Sequence, residues 1–328
     1  MSSRPVALGL AILVTFLWST SWVLIKLGLD DLALAPLSFA GLRYCLAALI
    51  LLPLALPALR RTTPWRDGGG RVLGAVVILG LLLYSLTQGA QFAALDYLPA
   101  VAVALILSTT PVLVGLLSLR HERASRIQAL GVGMLVVGAA LYFGPFEMGD
   151  GGALGLAIAL VGMVANALAA LLGRRLARDS VERLGGVLSL TALSMLVGSL
   201  VLLAGGLLLE GLPALGAEAW LIIGWLALVN TAFAFTLWNQ SLRTLTAVES
   251  SVINNLMLVQ IAVLAWVFLG EALTIPEIAG LALALSGILA VQLAPWLRGR
   301  RARASDVPPT DAGSVDVPMP TQATLRDR

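Results

Sequence analysis

Ten stretches of mostly apolar residues follow one another along this chain with only short polar breaks: 6–28, 35–57, 72–93, 99–119, 126–144, 152–173, 186–209, 217–239, 247–269 and 275–297. Each is long enough as a helix to cross a hydrocarbon core of roughly 30 Å. No water reaches the backbone at that depth, so a helix, which satisfies its own N–H and C=O groups, is the spanning structure these lengths allow. The rest of the composition agrees, with 59% hydrophobic and 12% charged residues, against about a quarter charged in soluble domains. The sequence predicts an all-α polytopic membrane protein with ten transmembrane helices. Arg4 ahead of the first stretch imitates a secretory signal. That stretch is too long, however, and has no small-residue cleavage site before Lys26, so it is expected to stay uncleaved.

Charge placement orients the spans. Nineteen arginines, from Arg4 and the Arg60, Arg61, Arg66, Arg71 loop to the six of the C-terminal tail, all fall on one side of a ten-span arrangement. The five loops of the other side (29–34, 94–98, 145–151, 210–216, 270–274) hold no arginine or lysine. The positive-inside rule then predicts a multi-pass protein of a bacterial-type inner membrane with both termini cytoplasmic. An odd number of spans would scramble this segregation. The last residues, 298–328, mix arginine with Pro, Ser, Thr and Asp and read as a disordered cytoplasmic tail.

The chain also resembles itself. A shift of 149 residues lays Glu122 on Glu271, Gly131 on Gly280, Gly138 on Gly287 and Gln91 on Gln240. These matches coincide with a division into five spans and five spans, residues 1–144 and 152–297. Five is odd, so the second repeat must be inverted relative to the first. Inverted repeats of this kind build secondary transporters, with the substrate site near the midplane between them. The small-residue faces of the fifth span (Gly131, Gly138) and the tenth (Gly280, Ala284, Gly287) suit close helix contact, either between the repeats or across a homodimer.

The segments LWSTSWVLIKLGL, APLSFAGLRYCLAALILLPL and FLGEALTIPEIAGLALALSGILAV resemble the drug/metabolite transporter superfamily, in particular its ten-span EamA-type exporters. The likeness runs from residue 6 to 297. It rests on the aromatic-plus-lysine pattern of the first span, the arginine of the second, and LGE followed by spaced glycines in the tenth. It implies a carrier and not an enzyme, and it implies no particular substrate.

Charges at lipid depth cost roughly 2.5–3.5 kcal/mol on insertion scales and so mark candidate function. Lys26, the only lysine, lies near the outer end of the first span, and Arg43 is about a third of the way into the second. Lys26 either pairs with Asp30 one turn on and snorkels to the surface, or points into a cavity and attracts a carboxylate. Arg43 has no acidic neighbour at helical spacing and reads either as a site residue or as a staple between helices. Tyr84, Gln88 and Gln91 share one face of the third span. Asn166, Asn230, Asn254 and Asn255 add amides in spans six, eight and nine. Trp18, Trp22 and Trp238 supply aromatic surface. Each amide alone also suits ordinary helix packing, and the tryptophans also suit an interfacial belt. Together Trp18, Trp22, Lys26, Arg43, Tyr84, Gln88, Asn166, Asn230, Trp238, Asn254 and Asn255 form the predicted substrate cavity. Pro111, preceded by Ser108, Thr109 and Thr110, predicts a kink in the fourth span, as a hinge or a static bend.

These residues favour a secondary transporter exporting small metabolites by alternating access, with amino acids or related zwitterionic and amphipathic compounds as cargo. Uptake or exchange of another small metabolite is the alternative. With no acid in the middle third of any span, a dedicated cation exporter is disfavoured, and Glu249 is only a weak candidate for coupling. A membrane-embedded enzyme lacks a nucleophile–base pair at depth, since the single histidine, His121, is placed in a cytoplasmic loop. A channel lacks a continuous polar stripe. The lone Cys45 excludes an intramolecular disulfide and argues against a metal cluster, so no cofactor is expected, and no nucleic-acid partner.

Overall fold

The protein is described from a computed structural model covering residues 4–62, 69–118, 126–144, 151–211 and 213–305. It is built of helices α1 (Arg4–Asp30), α2 (Pro36–Arg61), α3 (Gly70–Leu95), α4 (Ala100–Ser108 continued by Thr110–Ser118), α5 (Arg126–Phe143), α6 (Gly152–Asp179), α7 (Val187–Leu209), α8 (Ala217–Leu242), α9 (Ala247–Leu269) and α10 (Ile275–Ser305). Among the described residues nine of these are long and apolar enough to cross a membrane, and α4 contributes a shorter apolar stretch, Ala100–Gly115. The order is two five-helix repeats of opposite orientation. For the predicted tail, α10 remains helical to Ser305, eight residues past Arg298 counting inclusively. The remainder of that tail, the loop with His121 and Glu122, and Arg66 lie outside the described residues. The compact body ends at Ala294, and the segment from Pro295 forms a separate unit.

The central seam between the repeats is α2 against α7, which meet along much of their length. Glycine makes the approach possible. A Cβ on Gly41 would come within 2.6 Å of the Leu203 backbone, and one on Gly206 within 2.6 Å of the Ser38 nitrogen. As one residue number rises the other falls, so the two helices are antiparallel, as inverted repeats require. The largest hydrophobic core cluster, from Trp22 and Phe39 in the first repeat to Ile261 and Ile288 in the second, runs through both.

The glycine faces of α5 and α10 meet each other within the chain. A Cβ on Gly131 would stand 2.7 Å from the Gly287 carbonyl oxygen, and one on Gly280 would stand 2.6 Å from the Gly138 carbonyl oxygen. Of the two uses the sequence left open for these small-residue faces, the structure shows the contact between the repeats.

Two carboxylates from the second repeat cap helices of the first. Glu210, just past α7, accepts from the backbone N–H groups of Leu37 and Ser38, both at 2.8 Å, at the start of α2. Glu271, just past α9, accepts from Ala100 N at 2.7 Å and Val101 N at 3.4 Å at the start of α4. The first N–H groups of a helix have no partner within it, and negative charge is favourable there. Both contacts lie at the end of the bundle whose loops are acidic; the opposite end carries the arginines.

The fourth span breaks its helix next to Pro111, where the sequence predicts a kink. The helix is interrupted at Thr109, and the Leu107 carbonyl that Pro111 cannot bond accepts instead from Thr110 Oγ1 at 2.6 Å. In α3 and α8 the path also departs from an α-helix, through wider π-helical turns at Leu81–Gln88 and Leu228–Phe233. Each begins eleven residues into its span (81 after 70, 228 after 217). Thr87 Oγ1 donates to the Leu82 carbonyl at 2.7 Å and Thr231 Oγ1 to the Leu226 carbonyl at 2.8 Å, each five residues back.

Candidate functional site

Five helices surround a cavity of about 220 Å³ lined by Trp18, Ser21 and Trp22 of α1, Arg43 and Tyr44 of α2, Gln88 and Gln91 of α3, Asn230 and Phe235 of α8, and Asn254 and Met257 of α9. Six of the eleven residues expected from sequence converge here: Trp18, Trp22, Arg43, Gln88, Asn230 and Asn254. Drug-sized sites run roughly 300–1,000 Å³, so this one suits a smaller molecule.

Arg43 is the principal charge. It is 4% exposed, its Nε donates to Thr231 Oγ1 at 3.2 Å, and its guanidinium lies 4.9 Å from the Tyr44 ring centroid and 5.9 Å from that of Phe92. The π-turn of α8 presents the Thr231 hydroxyl, which donates to Leu226 and accepts from Arg43 at once. Guanidinium carries five N–H donors, and among the described residues no carboxylate pairs with it. The polar wall around it is also donor-rich. Tyr44 Oη donates to Gln88 Oε1 at 2.6 Å, leaving the amide NH₂ of Gln88 as its other end. Asn230 Nδ2 donates to the Leu17 carbonyl and, at 3.1 Å, to Thr20 Oγ1, tying α8 to α1. Ser21 Oγ and Asn230 Oδ1 are buried without a hydrogen-bond partner. Such atoms cost roughly 1–3 kcal/mol each.

Aromatic surface covers the end of the cavity nearer the arginine loops. Trp18 packs at 5.4 Å against Phe235 and at 5.3 Å against Trp238, and Trp238 continues into a small cluster with Ala7, Ala11, Leu245 and Ile253. Toward the acidic end Phe39 and Phe92 meet edge to face at 5.2 Å, and Trp22, Tyr44 and Gln91 are buried. Asn254, nearer the arginine end, is exposed.

The other expected residues stand elsewhere. Trp238 backs Trp18 and Tyr84 backs Tyr44, with ring centroids 5.6 Å apart. Asn166 Nδ2 donates to Thr110 Oγ1 at 3.2 Å beside the α4 bend. Asn255 Nδ2 donates to Gln292 Oε1 at 2.8 Å, joining α9 to α10. Lys26 faces a recess of about 460 Å³ at the acidic end of the bundle that Asp30, Asp31, Asp96 and Glu271 also line. There its Nζ donates to the Leu95 carbonyl at 2.7 Å and pairs with Asp30 at 3.2 Å, with the side chain 15% exposed: the expected ion pair is made, and the amine also faces the recess. Ser21, Tyr44, Phe235 and Met257 were not expected at the cavity, and Gln91 was recognised only as part of the polar face of the third span. Tyr44 had one available signal, its place beside the buried arginine.

A ten-helix inverted-repeat bundle around a small, donor-lined cavity is the construction of a membrane carrier. The EamA-like transporter family matches this chain twice, over residues 6–144 and 153–293, and the chain belongs to that family. It is 28% identical over 303 residues to the uncharacterized transporter YvbV of Bacillus subtilis (strain 168), covering 87% of this chain and 90% of that protein. It is 25% identical to YyaM (78% of this chain, 84% of that protein) and 25% identical to YoaV (86% and 95%), both uncharacterized transporters of the same organism. A crystal structure matches the fold with a TM-score of 0.60 at 19% identity, over 89% of this chain and 99% of its own. The protein is a multi-pass membrane transporter.

Proposed function

We propose that this transporter exports small zwitterionic metabolites, amino acids and related compounds foremost, from the cytoplasm across a bacterial plasma membrane by alternating access. The observation that carries the reading is Arg43: a buried guanidinium on the cavity wall with no carboxylate partner among the described residues. An unpaired cation at lipid depth is expensive, and a cargo carboxylate offsets that expense when it binds. Trp18, Trp22 and Phe235 offer apolar surface for the rest of the molecule. The arginine-rich loops support a cytoplasmic location of both termini. The exposure of Asn254 beside the burial of Trp22, Arg43 and Gln91 supports a cavity reached from that side in this conformation.

Proteoliposome transport of an amino-acid and metabolite panel tests the reading. Arg43→Gln is expected to lower transport of carboxylate-bearing cargo by about tenfold or more, the scale of a charged hydrogen bond. Lys26→Gln is expected to change it little, because Lys26 is already paired. Wild-type transport by a normally folded Arg43→Gln protein would show the reading to be wrong.

A further inference from the structure

Tyr44 is 5% exposed and packs against two neighbours. The Arg43 guanidinium lies 4.9 Å from its ring centroid, and the Tyr84 ring packs at 5.6 Å with an interplanar angle of 56°. Its hydroxyl reaches across from α2 to α3 and donates to Gln88 Oε1 at 2.6 Å. We propose that Tyr44 is the positioning residue of the cavity's carboxylate site, acting through two neighbours: its ring seats Arg43 and its hydroxyl turns the Gln88 amide. The inference rests on the carboxylate reading of Arg43 above.

A primary amide has one acceptor end and one donor end. With Oε1 committed to Tyr44, the NH₂ end of Gln88 is left for the cavity that Gln88 lines. Guanidinium N–H groups and amide N–H groups are then offered from α2 and α3, a set of donors that matches a carboxylate, while the unpartnered acceptors of the cavity, Ser21 Oγ and Asn230 Oδ1, belong to α1 and α8. Gln88 closes the π-helical turn of α3, whose wider path sets where its side chain leaves the helix. Removing the Tyr44 hydroxyl frees the amide to rotate by half a turn and present its oxygen. The corner then accepts an amine as readily as it donates to an acid. Removing the ring as well unseats Arg43, because a cation over an aromatic face is held by that face.

Three probes of one shape separate these effects: L-phenylalanine, 3-phenylpropionate, which lacks the ammonium, and phenethylamine, which lacks the carboxylate. Binding to the full-length protein in nanodiscs is followed by intrinsic tryptophan fluorescence. Tyr44→Phe is expected to weaken both carboxylate probes by about three- to tenfold and to leave phenethylamine unchanged or tighter. Tyr44→Leu is expected to approach Arg43→Gln on the same probes. Equal weakening of all three probes by Tyr44→Phe, or no change in any, would overturn the positioning role. If Arg43→Gln weakens the carboxylates while Tyr44→Phe behaves as wild type, only the positioning role falls. If Arg43→Gln changes nothing, or wild type binds neither carboxylate, the carboxylate reading falls and takes the role with it. Gln88→Glu tests the same corner should Tyr44→Phe melt early: it must weaken the carboxylates and tighten phenethylamine, and the reverse overturns the proposal.

Discussion

At the level of single residues, polar side chains divide into those already satisfied and those left for a ligand. Glu249, the one acid considered for coupling, belongs to the first group. It lies outside the apolar window of α9, which begins at Val252, and forms a capping box with Thr246 while pairing with Arg4. These partners, the Thr246 backbone N–H first, hold its carboxyl well down at about 2 against an ordinary 4.5. A carboxyl whose pKa falls on folding stabilises the native state fully above its ordinary value, and that stabilisation drains as pH drops through 4.5 toward 2. The melting temperature of wild type is therefore expected to exceed that of Glu249→Gln by a constant margin above about pH 5 and to converge with it toward pH 2. Ionised throughout the physiological range, Glu249 carries no proton there. Transport measured between pH 5 and 8 should have the same pH profile in Glu249→Gln as in wild type.

The same division explains how far the site could be read from sequence. Arg43 was visible as a cation at lipid depth, because hydropathy alone exposes it. Its partner Thr231 was not, being 188 residues away and brought in by a turn geometry that leaves no mark in composition. Lys26 and Asp30, four apart on one helix, were legible as a pair because their contact is local. Asn254 and Asn255 looked equivalent in sequence, yet a helix turns about 100° per residue, and the fold gives one to the cavity and the other to Gln292.

Among the elements, the spans, their inverted order and the α4 bend were legible, since apolar length, charge segregation and proline each act locally. The π-helical turns were not. An extra residue per turn is stabilised by what surrounds the helix, and Thr87 and Thr231 look like any helical threonines until their bonds five residues back are seen. Thr87→Val, nearly isosteric, removes one such bond without touching the cavity. It should cost about 1 kcal/mol of stability, read by thermal melting, and raise KM for cargo through a shift of Gln88 at the end of the same turn. The capping carboxylates were half legible. Prolines at the starts of α2 and α4 advertise helix N-termini, but only the packed repeats reveal that Glu210 and Glu271 answer them.

For the whole molecule, the contact between repeats depends on backbones that nearly touch. Gly206 has no room for a side chain against Ser38, and neither relaxation of α2 nor of α7 is cheap when each is packed along its length. Gly206→Leu is expected to destabilise the bundle by about 1–3 kcal/mol or more, seen as a lower melting temperature in detergent, while Gly205→Leu, with nothing within 4 Å of its added Cβ, should be tolerated.

Arg43 has an electrical consequence as well. On the proposed reading Arg43 stays with the protein and adds nothing to the charge that the cargo itself carries across. A zwitterion bound there transfers none, and its flux is indifferent to voltage. A monoanion transfers one elementary charge, worth about 2.3 kcal/mol per 100 mV, and an interior-negative potential drives it outward. On the proposed carboxylate reading, one cavity would serve as an electrically silent carrier for zwitterions and a voltage-powered one for the corresponding anions.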